Sequence, residues 1–295
     1  MNKTFLIFIL TIVSLTQLTA QMESPYFNLC SFEGSVESAA TKVKNALHEK
    51  SFKVIGEYSV GGNENLYVIC YTRNDLEEIA LSFADRGSLA ATLKVGVKKN
   101  GNSVTVSMIN PMYLFYAYFI DGIEEHENTL KEISDQAINA IKSVGNSLEA
   151  FGGELEKKKL QKYHYKVMMP YFKDAEKLNT FSSFEEGLKT TQGNLSEELG
   201  QTKKVYELVY ADKEVAVFGV ALLNEKDGES HFLPIIGEDH LAAMPYEIIL
   251  QGNEATILPG RYRIALHWPE LTMGTFMKIM STPGDIKKTL KGLTE

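Results

Sequence analysis

Two clusters near the C-terminus carry side chains capable of chemistry. The first is Arg261-Tyr262-Arg263 running into His267-Trp268-Pro269-Glu270. On a strand, Arg261 and Arg263 share a face, where two guanidinium groups can grip a carboxylate or phosphate bidentately, with Tyr262 and Trp268 flanking the ligand. The plainer reading takes precedence: outer arginines paired with the chain's excess carboxylates, and Trp268 packed at the core edge. The second cluster is His231 to His240, HFLPIIGEDH. Glu238, Asp239 and His240 set hard and borderline ligands side by side, so a divalent metal can bind there if His231 or His267 completes the shell. Nothing in the spacing forces these side chains to converge, and a solvated loop is the default.

A third candidate is the aromatic run Met112 to Phe119, MYLFYAYF. Alternation of Tyr116 and Tyr118 with Phe115, Ala117 and Phe119 suits a strand with one polar-tipped face. Such a run can line a ligand pocket, dip into a membrane surface or pack in the core, and core packing is the default. The familiar signatures are missing. There is no G-x-S-x-G, H-E-x-x-H, P-loop or G-x-G-x-x-G. His48-Glu49 and His126-Glu127 lack the second histidine of a helical zinc site.

The elements that must position these residues follow in order. Lys3 and the apolar stretch Phe5 to Leu15, followed by Leu18-Thr19-Ala20, read as a secretory signal peptide over 1–20 cut before Gln21. The stretch is shorter than the ~20 residues of a membrane span, and no later window is long and apolar enough for an anchor. Export to the periplasm or exterior makes a disulfide between Cys30 and Cys70, the two cysteines of the chain, one option; two separate thiols fit the sequence as well.

Ser35 caps a helix with Val36, Ala39, Ala40, Val43 and Leu47 on one face. Phe52 to Tyr58 and Asn65 to Tyr71 read as strands, Asp75 to Phe83 as a short helix. Ala91 to Val97 and Ser103 to Ile109 read as a hairpin around Lys99-Asn100-Gly101. A long helix then carries Leu130, Ile133, Ala137, Ile141, Val144 and Leu148. Residues 151–180, with mixed charge in Glu154 to Lys162, read as a linker.

Beyond it, Lys204 to Tyr210 and Val215 to Leu222 read as paired strands, and Asp285 to Leu293 as a closing helix. Leu89-Ala90-Ala91 before a strand, then Gly101-Asn102-Ser103-Val104-Thr105-Val106, recurs as Leu241-Ala242-Ala243 and Gly252-Asn253-Glu254-Ala255-Thr256-Ile257. These matches predict two sequential α+β domains, 21–150 and 181–295, each an antiparallel sheet backed by helices, related by a degenerate internal duplication. An unrelated second domain is the alternative.

Three stretches of the first half, VESAATKVKNALHEKSFKV, YVICYTRNDLEEIAL and LKVGVKKNGNSVTVSMINP, resemble the family known as domain of unknown function 302. The resemblance covers about residues 33–125. It implies an antiparallel sheet backed by helices and no particular reaction. Where that family has a Cys-Asn-Pro-like turn, Cys70 is followed here by Tyr71-Thr72-Arg73, so no ligand role is carried over.

At 295 residues and 44% hydrophobic content the chain can bury a substantial core. Its 38 acidic and 30 basic residues give a net charge of −8, the wrong sign for a phosphate-backbone binder, so nucleic acid is excluded as a partner. The expected function is that of an exported, non-catalytic binding or accessory protein. It would hold a small molecule or an envelope partner in a groove between the two halves, with no cofactor beyond a possible divalent metal. One alternative is a hydrolase of unrecognised type, which needs Glu238, Asp239, His240 and His267 in one cleft. Another is a self-associating envelope protein, which needs Tyr113 to Phe119 exposed.

Overall fold

A computed structural model describes residues 21–29, 31–145, 147–166 and 168–295. The expected leader, 1–20, and Cys30 lie outside the described residues. The first half opens with three short strands, β1 (Met22–Glu23), β2 (Tyr26–Leu29) and β3 (Phe32–Glu33). Helix α1 (Val36–Glu49) starts where the Ser35 hydroxyl accepts the Ser38 amide at 3.1 Å, and it buries Ala39, Ala40, Val43, Ala46 and Leu47. Strands β4 (Lys53–Ser59) and β5 (Leu66–Thr72) follow, then α2 (Asn74–Ser82). Asp75 does not cap α2. Its carboxylate accepts two 2.7 Å bonds from Arg73, and Arg73 itself occupies the cap position.

The hairpin is β6 (Leu93–Asn100) and β7 (Ser103–Ile109), with Asn100 opposite Ser103 and Gly101 at φ 60° in the turn. The aromatic run is α3 (Pro111–Tyr118), not a strand. Asn110 accepts the Met112 amide at 3.1 Å, and Pro111 occupies the first turn, a strong helix start. All eight residues of α3 are buried, and a helix enclosed on every side shows no polar face. Next come α4 (Glu127–Lys142) and β8 (Leu148–Phe151), so the expected long helix stops before Leu148, which pairs with Leu29.

The stretch read as a linker holds β9 (Leu155–Glu156), α5 (Lys157–Leu160) and β10 (Glu176–Thr180), and it buries Leu160, Tyr163 and Phe172. The chain continues through α6 (Phe184–Ser196), β11 (Thr202–Tyr210), β12 (Val215–Leu222), α7 (Glu229–Ile236), β13 (Tyr246–Gln251) and β14 (Glu254–Ile257). It closes with α8 (Gly260–His267), α9 (Met273–Phe276) and α10 (Thr282–Gly292).

The fold is α+β, with antiparallel sheets backed by helices. The first sheet runs β4-β5-β6-β7-β2-β8 with β3 also on β7, and the second runs β11-β12-β13-β14-β10. The order β4-β5-β6-β7-β2 thus has its counterpart, strand for strand, in the second sheet. Helices α1, α2 and α3 stand in the chain where α6, α7 and α8 stand. Both first meander strands carry a register shift near their start, between Val54 and Gly56 in β4 and between Lys204 and Tyr206 in β11. The two irregularities meet: a β-carbon on Gly56 would lie 2.1 Å from the Val205 carbonyl oxygen, so glycine permits the approach.

The Leu-Ala-Ala segments sit in corresponding turns, Gly87–Ala91 and Glu238–Ala243. Leu241 and Ala242 lie on the first sheet, where a β-carbon on Gly96 would fall 2.9 Å from Leu241 Cβ. The turn at Gly87–Ala91 lies in return against β12. Side chains of both halves form one continuous apolar core, so the place where the sheets meet is filled. The expected groove between the halves is reduced to a surface hollow of about 520 Å³ where Ala117 and Ile120 face Tyr262.

Candidate functional site

Arg261, Tyr262 and Arg263 lie on a helix, not a strand, because Pro259 ends the second hairpin and α8 begins at Gly260. The arginines therefore do not share a face. Arg263 is buried, 2% exposed, and is used internally. It donates to the Ala243 carbonyl and, at 2.8 Å, to the Pro245 carbonyl, lies 3.8 Å above the Tyr246 ring, and has Nε 3.5 Å from Glu247. Glu247, on β13, also pairs with Lys94 on β6 of the first half. Burial opposes the arginine's charge, but Glu247 together with the surrounding Tyr246, Tyr118 and Tyr26 more than offsets it and keeps Arg263 protonated. Such a group holds the interior together and is unavailable to a ligand.

His267 is buried with Nδ1 3.0 Å from the Tyr26 hydroxyl. Burial, then the positive charges of Arg263 and Lys94, hold its pKa well below the ordinary histidine value, so the ring is neutral. The expected metal trio diverges. Glu238 and Asp239 reach Lys98 on the first sheet at 3.2 and 3.1 Å. The His240 ring turns the other way, into a cage of Tyr26, Phe151 and Trp268 at centroid distances of 5.0, 5.5 and 5.6 Å. Both of its ring nitrogens are buried without a hydrogen-bond partner among the described residues, and burial pushes its pKa down to about 4 against the opposing charge of Asp239. His231 is exposed. Among the described residues, no group of three or more His, Cys, Asp or Glu is placed to hold a metal ion.

Tyr116 donates to Glu127 at 2.7 Å, and Tyr118 packs on Phe172 with ring centroids 5.0 Å apart. Both are core residues of α3. Cys70 is a buried residue on β5 with no disulfide partner among the described residues; burial pushes its thiol up to about 12, and Cys30, the other half of the expected bridge, lies outside the described residues. A buried carboxylate that spacing does not reveal is Glu229, at the start of α7. It accepts from Tyr58 at 2.8 Å and from the Gly61 amide at 2.9 Å, both in the first half. Burial raises its pKa to about 7 in spite of those two bonds.

Of the seven residues expected to bind a ligand, Arg261 and Trp268 line the same cavity. It is a groove of about 350 Å³ walled by α8 and the segment after it. Ile264, Leu271, Met273, Phe276 and Met280 are among its apolar lining residues, and Arg261 and Lys166 are the charged residues that line it. Part of this wall has a signal in the sequence: Met273, Met277 and Met280 recur at helical spacing, the first and last of them lining the groove, with Thr272 capping α9 by accepting the Thr275 amide at 3.1 Å. These methionines are 51%, 56% and 54% exposed, uncommon for large apolar side chains. Methionine suits an adaptable binding surface because its unbranched thioether repacks at little cost. Arg261 is exposed and has no ion-pair partner among the described residues.

No helix among the described residues is long and apolar enough to cross a membrane. No family model and no curated protein matches the chain. Among solved structures, it is similar to the crystal structure of an uncharacterised conserved protein of domain of unknown function 302 from Bacillus stearothermophilus. That similarity has 12% identity and a TM-score of 0.32, over 40% of this chain and 94% of that one.

Proposed function

We propose that this is a non-catalytic binding protein, exported by the leader of residues 1–20, that seats an apolar ligand in the groove beside α8. The observation that carries this reading is the groove's wall: two half-exposed methionines, Met273 and Met280, beside Trp268 and Phe276, in a protein whose other large apolar side chains are mostly packed away. The division into two units, 21–150 and 181–295 with 151–180 between them, is part of the proposal. Support for an ancestral duplication comes from the matching strand orders and matching bulges. The hydrolase reading loses its constellation, since Glu238 and Asp239 point to Lys98 while His240 enters the cage. The self-association reading loses its patch, since Tyr113 to Phe119 is buried.

Trp268 is the chain's single tryptophan, so its emission reports on the groove without labelling. An uncharged apolar probe, decan-1-ol, is expected to change that emission saturably, and the change is expected to weaken in a Met273→Gln/Met280→Gln double variant. An emission that stays constant, or drifts linearly and alike in both proteins, would overturn the reading.

A further inference from the structure

From the same groove we infer the ligand's chemical class: a carboxylate joined to an aliphatic chain, its head held by Arg261 and its tail on the apolar wall that includes Met273 and Met280. The inference rests on the apolar-groove reading and adds to it a head group. In a chain where acidic residues outnumber basic ones 38 to 30, the groove is lined by two cations and no carboxylate. Among the described residues Arg261 has no ion-pair partner, in contrast to Arg263 two residues on, which is consumed by Glu247 and two carbonyls. Glu176, in the hollow on the other side of Arg261, is occupied by Lys287 at 3.0 Å and does not neutralise it. A free guanidinium beside a strongly apolar wall selects an anion joined to a hydrocarbon. The planar carboxylate matches its donor fork.

The experiment compares decanoate with decan-1-ol by Trp268 emission in the wild-type protein and in Arg261→Gln. Arg261 is exposed, so the variant is expected to keep the wild-type urea midpoint. Decanoate is expected to bind at least about tenfold more tightly than the alcohol, and Arg261→Gln to abolish that difference, the loss expected of charge-assisted hydrogen bonds. If the acid and the alcohol bind equally in both proteins, the head-group assignment is wrong while the apolar groove stands. A preference for the acid that survives Arg261→Gln overturns the role given to Arg261. If neither compound moves the emission saturably, the groove reading fails and this inference fails with it.

Discussion

Tyr113 and Tyr262 each complete the other's helix. The Tyr113 hydroxyl donates to the Leu266 carbonyl at 2.7 Å, and the Tyr262 hydroxyl donates to the Ala117 carbonyl at 3.3 Å. Each tyrosine is the third residue of its helix, α3 or α8, and each acceptor lies four residues beyond the other tyrosine. The last carbonyls of a helix have no partner within it, so each half supplies the cap that the other lacks. A second cross-link of the same kind joins Tyr58 to Glu229 and Tyr210 to Glu77, at 2.8 and 2.9 Å. The halves are thus joined reciprocally through polar contacts as well as by a shared core.

Tyr113→Phe and Tyr262→Phe are each expected to leave one buried carbonyl unpaired, at a cost of about 1–3 kcal/mol. Urea unfolding of the single variants measures it. Since the bonds are equivalent in role, both changes are expected to destabilise; a neutral result for either would show that water or another donor replaces the hydroxyl.

The two arginines of α8 are expected to behave oppositely. Arg263→Met removes one of the two cations facing Glu247 and the donor to the Ala243 and Pro245 carbonyls, and is expected to cost about 3–5 kcal/mol, the range for removing one partner from a buried charged network. Arg261→Gln is expected to leave the midpoint within about 0.5 kcal/mol of wild type. Similar midpoints for the two variants would remove the distinction between the structural and the ligand-facing arginine.

Two buried groups pull the pH dependence in opposite directions. His240 stays neutral down to about 4, whereas an unfolded histidine takes up its proton near 6.5, so its contribution is full above the unfolded value and is lost as pH falls between them. Glu229 keeps its proton up to about 7, whereas an unfolded glutamate releases it near 4.5, so its contribution is full at low pH and is lost as pH rises through that window. Each effect is on the order of 3 kcal/mol at its full extent. His267, also held neutral, acts in the same sense as His240. Unfolding free energies measured from pH 4 to pH 7 are therefore expected to rise more steeply in Glu229→Gln than in wild type, and less steeply in His240→Gln. Slopes unchanged in both variants would contradict the burial assigned to the two groups.

Cys70 is expected to be inert in the folded protein. In a Cys30→Ser background, a thiol reagent is expected to label it only after denaturation, because the thiol is buried and its pKa is raised to about 12. Rapid labelling of the native protein would place Cys70 at an accessible surface instead.

The strands and the Asn100-Gly101 hairpin were legible because their signals are local: alternation, β-branched residues and glycine at the turn. The recurring Leu-Ala-Ala segments marked corresponding turns for the same reason. Helix α3 was misread as a strand because burial on all sides erases the helical period, leaving Tyr116 and Tyr118 to mimic alternation; α8 was misread because it buries the charged Arg263, so that Arg261 and Arg263 mimic one polar face of a strand. Asn110-Pro111 and Pro259 were the available corrections, since each sits where a helix can begin. The site itself depends on contacts that spacing cannot encode. Lys94 meets Glu247 across 153 positions, and Tyr26 meets His267 across 241. The methionines of 273–280 were readable, and it was their lack of a covering element that only the packing revealed.

Methyl-labelled methionine gives the most direct test of the groove. With decanoate added, the methyl resonances of Met273 and Met280 are expected to shift saturably, while those of the fully buried Met108 and Met244 stay in place. Unmoved resonances at Met273 and Met280, or shifts confined to methionines elsewhere, would contradict a ligand seated on α8 beside Arg261 and Trp268.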